Sequence, residues 1–185
     1  DLPLHMEGTP FRMQVWQALQ TIPYGDDDEK LALADYIVAI TKDSIAANKA
    51  EKTAQALAVV LPGVSDLEQQ TLSGDTGIVT GAFRSGDSWA VQVEPNGFGG
   101  AITLMVGIEE GKVTGISVIS HAETPSLGAE AAAGSAKGEN FRAQFVGAQE
   151  AVIGGNIDAI SGATVSSKGV TSGVNAALAA VEALG

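Results

Sequence analysis

The chain has 185 residues, 45% of them hydrophobic and 17% charged, which suits one folded domain with a small appendage and excludes disorder. Its formal net charge of −12 repels phosphate backbones and argues against nucleic-acid binding. With no cysteine there are no disulfides or thiolate metal sites, and the two histidines, His5 and His121, lie too far apart to suggest a metal site.

The first 25 residues differ in character from the rest. In "EGTPFRMQVWQALQTIPYG", Thr9 reads as an N-cap and Pro10 as the first helical residue. Phe11, Val15, Trp16, Leu19 and Ile22 follow at helical spacing, and Pro23 with Gly25 ends the run. Residues 7–25 resemble the opening helix of the DNA-binding domain of O6-alkylguanine-DNA alkyltransferases. The Pro-Cys-His-Arg motif of that family is absent, and with no cysteine the chain has no nucleophile for alkyl transfer by that route. "GDDDEK" at 25–30 resembles a protease-cleavage linker and is expected to be solvated. Residues 1–30 are therefore expected to be a fused or tag-like segment, and residues 31–185 the functional domain.

The apolar run 31–40, "LALADYIVAI", is broken by Asp35 and falls short of the roughly 20 residues a membrane span requires. No signal-peptide layout is visible, so the chain as given is expected to be soluble. A helix is predicted from Tyr36 to Gly63, with Ala46, Ala50, Thr53, Leu57 and Leu61 on one stripe and Pro62-Gly63 as its end. Residues 77–120 read as strands. Trp89, Val91 and Val93 alternate with Ala90, Gln92 and Glu94; Ile102, Leu104, Val106 and Ile108 alternate with Thr103, Met105 and Gly107, giving one apolar face. "EEGK" at 109–112 predicts the turn of a β-hairpin leading into "VTGISVIS". A polar loop at 120–128 follows, then an Ala/Gly-rich segment and a short helix at "FRAQFVGA". A final helix over about 167–184 carries Val170, Val174, Ala177, Leu178 and Val181 on one side. This order implies an α+β fold, an antiparallel sheet packed with helices.

One stretch draws attention as a possible site. "DAISGATVSSKG", residues 158–169, gathers Ser161, Thr164, Ser166 and Ser167 around Gly162 just before the last helix. Either Ser166 or Ser167 caps that helix and Gly162 makes a turn, or the stretch is an attachment point. Small neighbours leave the Thr164 hydroxyl approachable, and a helix N-terminus favours an anion there. A threonine hydroxyl is a poor nucleophile without a base, so attachment would need another enzyme. "NGFGG" at 96–100 lacks the spacing and lysine of a phosphate-binding loop and reads as a turn that permits close backbone approach. Glu109, Glu110, Glu130 and Glu139 are scattered, and no pair suits general acid–base catalysis, so no catalytic residue is expected.

Asp158-Ala-Ile-Ser161-Gly162-Ala163-Thr164 resembles the flavinylation motif of the FMN-binding domain family, which includes the G subunit of Rnf electron-transport complexes and the C subunit of sodium-pumping NADH:quinone oxidoreductases. The likeness extends through residues 41–63, 96–130 and 141–147 and is strongest to the Rnf G subunits. It implies that Thr164 carries FMN through a phosphoester installed by an FAD-dependent flavin transferase. Asp158, Ser161, Gly162 and Ala163 would surround the acceptor, with the flavin at the N-terminus of the last helix.

"HAETPSLG" at 121–128 resembles the family's Glu-Thr-Pro-Gly-Leu-Gly loop. By that likeness Glu123, Thr124, Leu127 and Gly128 would lie near the flavin ring or its ribityl chain. Read without the resemblance, the same loop is a solvated surface turn. Ser126 stands where the family usually has glycine, and a positive φ there would strain it. His121 is as well explained by an exposed, uninvolved role as by a bond to the ring. The resemblance further implies an electron-carrier subunit of an ion-translocating oxidoreductase, a flavinylated phosphoprotein held at the periplasmic face of the inner membrane by an N-terminal helix, which is expected to be lost or replaced in the chain as given. Its partners would be the other subunits of the complex. The alternatives are a module that binds free flavin or a partner without a redox role of its own, and a DNA-repair remnant, against which the missing cysteine and the net charge both argue.

Overall fold

The computed structural model describes residues 48–64, 66–72, 77–123, 129–132 and 135–185. The chain divides into two units, Asp1–Ala50 and Glu51–Gly185, and the second holds nearly all that follows. The expected helix over 9–22, the start of the helix predicted from Tyr36, and the loop 124–128 lie outside the described residues.

Residues 48–60 form helix α1, which ends ahead of Pro62 and Gly63, the latter at φ +87°. Its buried positions are Ala56 and Val60, four residues apart on one face, with Leu61 just beyond the helix. Of the expected stripe, Leu61 is buried, Thr53 and Leu57 are half-buried and Ala50 is exposed, so the stripe runs along one edge of the buried face, with Ala56 and Val60 at its centre. The sheet decides the phase, because the small Ala90 and the flexible Met105 make room for Ala56 and Val60. Thr114 Oγ1 donates to Val60 O at 2.8 Å and fastens the end of α1 to the sheet.

The sheet is a meander of β1 (Glu68–Gln70), β2 (Val79–Ser85), β3 (Ser88–Val93), β4 (Ile102–Glu109) and β5 (Lys112–His121), each antiparallel to the next and in that spatial order. The predicted β4–β5 hairpin is present: Glu109 pairs with Lys112, and the two-residue turn puts Glu110 at φ 51° and Gly111 at φ 72°. Two successive positive φ values match the right-handed twist of the flanking strands. Ile102, Leu104, Val106 and Ile108 form one apolar face as expected, yet β4 is buried on both faces from Ile102 to Ile108. Met105 points the other way, into the cluster with α1.

Helices α2 (Ala129–Ala132) and α3 (Ala136–Ala143) follow, then α4 (Thr164–Leu184). The short helix expected at 141–148 lies earlier. Ser135 caps α3 by accepting from Gly138 N at 3.1 Å, and the chain turns at Gln144. Phe141 and Phe145 meet edge to face, centroids 5.2 Å apart, inside the large core. Val170, Val174, Ala177 and Leu178 of α4 pack on the β3–β4 face, as their spacing predicts. Helices thus cover both faces of one antiparallel sheet, and the fold is α+β.

Candidate site at the start of the last helix

The segment leading into α4 is held by side chains rather than by regular structure. Gln144 clamps the Asp158 peptide, accepting from Asp158 N at 2.8 Å and donating to Asp158 O at 3.3 Å. Ile157 is fully buried and pairs with Ile153 in an isolated bridge, while Asn175 of α4 holds both polar groups of the Ala151 backbone. Beyond Ile157 the chain turns through Gly162 at φ +83°, with Ala163 N donating to Ile160 O at 2.9 Å.

Helix α4 begins three residues earlier than the sequence suggests, and neither Ser166 nor Ser167 caps it. The N-cap is Ala163 (φ −127°, ψ 32°), with no side-chain cap bond. Ser167 Oγ is used within the turn: it donates to Ala163 O at 2.9 Å and accepts from Ile160 N at 3.1 Å. Thr164 is therefore the first helical residue, and it is exposed, as are Asp158, Ser161 and Gly162; Ala163 is buried beneath them. Backbone N–H groups at an uncapped helix start and the positive end of the helix dipole both favour an anion, so these residues fit a phosphate group at the Thr164 hydroxyl.

The second candidate segment meets this one at Glu123. Only 6% exposed, its carboxylate accepts from Ser166 Oγ at 2.7 Å and from Gly99 N at 3.2 Å. The Asn96–Gly100 turn, closed by Gly97 N to Gly100 O at 2.7 Å, lies against α4 as well. A Cβ on Gly97 would overlap the Glu123 carboxylate, and one on Gly169 would overlap Asn96 O. The close-approach role expected for "NGFGG" is thus present. Glu123 meets the first turn of α4 at Ser166, two residues beyond Thr164, whereas Thr124, Leu127, Gly128 and Ser126 lie outside the described residues. His121 ends β5, exposed, paired with Ile102.

Sequence reasoning missed three contributors: Ser166 as partner of Glu123, Gln144 as the clamp on Asp158, and the Gly97–Gly99 backbone as a wall. Nothing in the local pattern marks Gln144, and Ser166 carries only a generic capping signal. Nearby, burial pushes the Arg142 guanidinium below its ordinary pKa, an effect that Glu139 opposes, and Arg142 Nη1 donates to Ala131 O at 3.3 Å. Among the described residues no group of acidic or histidine side chains is placed to hold a metal ion, and no helix is long and apolar enough to cross a membrane.

The fold and this segment make an α+β domain whose core helix starts, without a side-chain cap, at an exposed hydroxyl where helix N–H groups favour an anion. The model of the FMN-binding domain family matches residues 97–179, a span that contains the turn, Glu123 and the start of α4. The G subunit of the proton-translocating ferredoxin:NAD(+) oxidoreductase complex of Clostridium ljungdahlii is 42% identical over 96 residues, covering 49% of this chain and 51% of its own length. The G subunit of the ion-translocating oxidoreductase complex of Methanosarcina acetivorans is 35% identical over 151 residues, 73% of this chain and 78% of that one. The chain belongs to the FMN-binding domain family, alongside these G subunits. It spans about half the length of the Clostridium relative. A separate likeness, 51% over 40 residues and 22% of the chain, is to the constitutive methylated-DNA–protein-cysteine methyltransferase of Bacillus subtilis, in keeping with the alkyltransferase resemblance read from residues 7–25.

Proposed function

We propose that this chain is the FMN-carrying electron-transfer domain of an Rnf-type ion-translocating ferredoxin:NAD oxidoreductase, with FMN joined to Thr164 by a phosphoester. The observation that carries this reading is the exposed Thr164 hydroxyl at the uncapped start of α4. Loading is redox-neutral and needs an FAD-dependent transferase. Thr164 Oγ1 forms a bond to the flavin-side phosphorus of FAD, the pyrophosphate P–O bond breaks, AMP leaves, and the hydroxyl proton passes to a base on the transferase. FMN supplies one- and two-electron chemistry when bound, and the protein positions it and tunes its potential. The first-turn N–H groups of α4 bind the phosphate, Ser161, Gly162 and Ala163 leave the approach open, and Asp158 flanks it.

On this reading the chain is an electron-carrying subunit rather than a self-sufficient enzyme. Residues 31–185 are the FMN-binding domain and residues 1–30 an appended segment. Its partners are the other subunits of the complex, at the periplasmic face of the bacterial inner membrane. Thr124, Leu127 and Gly128 complete the flavin surroundings beside Glu123. Co-expression with a flavin transferase, followed by a denaturing gel, tests the attachment. A fluorescent band in wild type and Thr164→Ser, absent in Thr164→Ala, is expected. Flavin that co-purifies but leaves on denaturation would favour the non-covalent module instead.

A further inference from the structure

We propose that Glu123 is a positioning residue for the acceptor threonine: through Ser166 it fixes the rotation of the first turn of α4 and so holds Thr164 outward. The inference rests on the reading of Thr164 as the acceptor.

Two donors from different parts of the chain converge on the Glu123 carboxyl group, one on each oxygen: Ser166 O–H from α4 and Gly99 N–H from the β3–β4 turn. Among the described residues no ion pair reaches Glu123, so its burial is offset by these two bonds and by the nearby positive end of α4. The site is closely packed, since Gly97 leaves no room for a Cβ against that carboxylate.

Helical geometry turns this bond into an orientation. Residues 164 and 166 stand about 200° apart around the axis, so holding Ser166 inward, where it is fully buried, turns Thr164 to solvent. No side chain caps α4, so nothing at the cap performs this task. The Ser167 bonds fix the preceding turn to the helix, while the Glu123 bond fixes the helix to the sheet and its glycine turn.

The test uses the full chain as substrate of a purified FAD-dependent flavin transferase, with flavin incorporation followed by gel fluorescence and each variant assayed well below its own melting temperature. Glu123→Ala and Ser166→Ala are expected to lower kcat for loading by about tenfold or more, with KM for the chain little changed, because a small misplacement of a reacting group costs rate. The double variant should be no slower than the slower single one, since both remove the same bond. Glu123→Gln can accept from Gly99 N and donate to Ser166 Oγ, and should recover part of the lost rate. A wild-type kcat in folded Glu123→Ala or Ser166→Ala overturns the proposal, as does a loss confined to KM. Should Glu123→Ala not fold, Ser166→Ala, which deletes a single hydroxyl, decides by the same criteria. Wild-type chain that takes up no flavin overturns the acceptor reading itself, a result distinct from a loaded wild type with an indifferent Glu123.

Discussion

Ser166 and Thr164 are two residues apart in sequence and opposite in circumstance, one fully buried on a carboxylate and the other exposed at the first position of a helix. The Asp-to-Thr pattern at 158–164 was legible because its spacing is local. The Glu123–Ser166 partnership was not, because 43 positions separate the two residues and only the fold closes that gap. Gly97 shows the same limit from the other side: its sequence context suggested close approach, but not that the approach would be to Glu123. Gly97→Ala is expected to destabilise the domain by about 1–3 kcal/mol by overpacking, read as a lower urea midpoint at an unchanged m-value. A midpoint equal to wild type would mean that the turn has more room than its geometry implies.

At the scale of elements, period and turn chemistry served well where one interaction dominates. The β4–β5 hairpin followed from "EEGK", and the buried face of α4 from the spacing of Val170, Val174, Ala177 and Leu178. They failed where two elements compete. The phase of α1 is set by the sheet beneath it, α3 starts where Ser135 caps it, and α4 starts early because Ser167 turns back to Ala163 and Ile160. Ser167→Ala leaves Ile160 N without that acceptor and should cost about 1–3 kcal/mol, with faster amide exchange at residues 160–167 than in the centre of α4. Uniform exchange across α4 in the variant would assign the start of the helix to packing alone.

Across the whole molecule the sheet is covered on both sides, by α1 on one face and by α3 and α4 on the other, so β4 lies at the middle of the core. The α+β class was legible from the order of elements. The second buried face was not, because Thr103, Met105 and Gly107 read as the exposed half of an alternating strand. Phe145, fully buried against Phe141, joins the turn after α3 to that core. Phe145→Ala should cost about 3–5 kcal/mol, seen as a lowered melting temperature, and with it the clamp region around Gln144 and Asp158 should loosen. A melting temperature unchanged by that substitution would detach this turn from the fold's stability. The net charge of −12 predicts no retention on duplex DNA at moderate salt, whatever the origin of residues 7–25.

On the proposed reading, this fold presents Thr164 as the point where FMN is attached. Peptide mass mapping of the chain co-expressed with a flavin transferase, beside Thr164→Ala, tests it most directly. One FMN phosphoester is expected on the peptide spanning residues 158–168, at Thr164, and none in the variant. An unmodified Thr164 in a preparation where the transferase has loaded a control acceptor, or FMN on another residue, would contradict it.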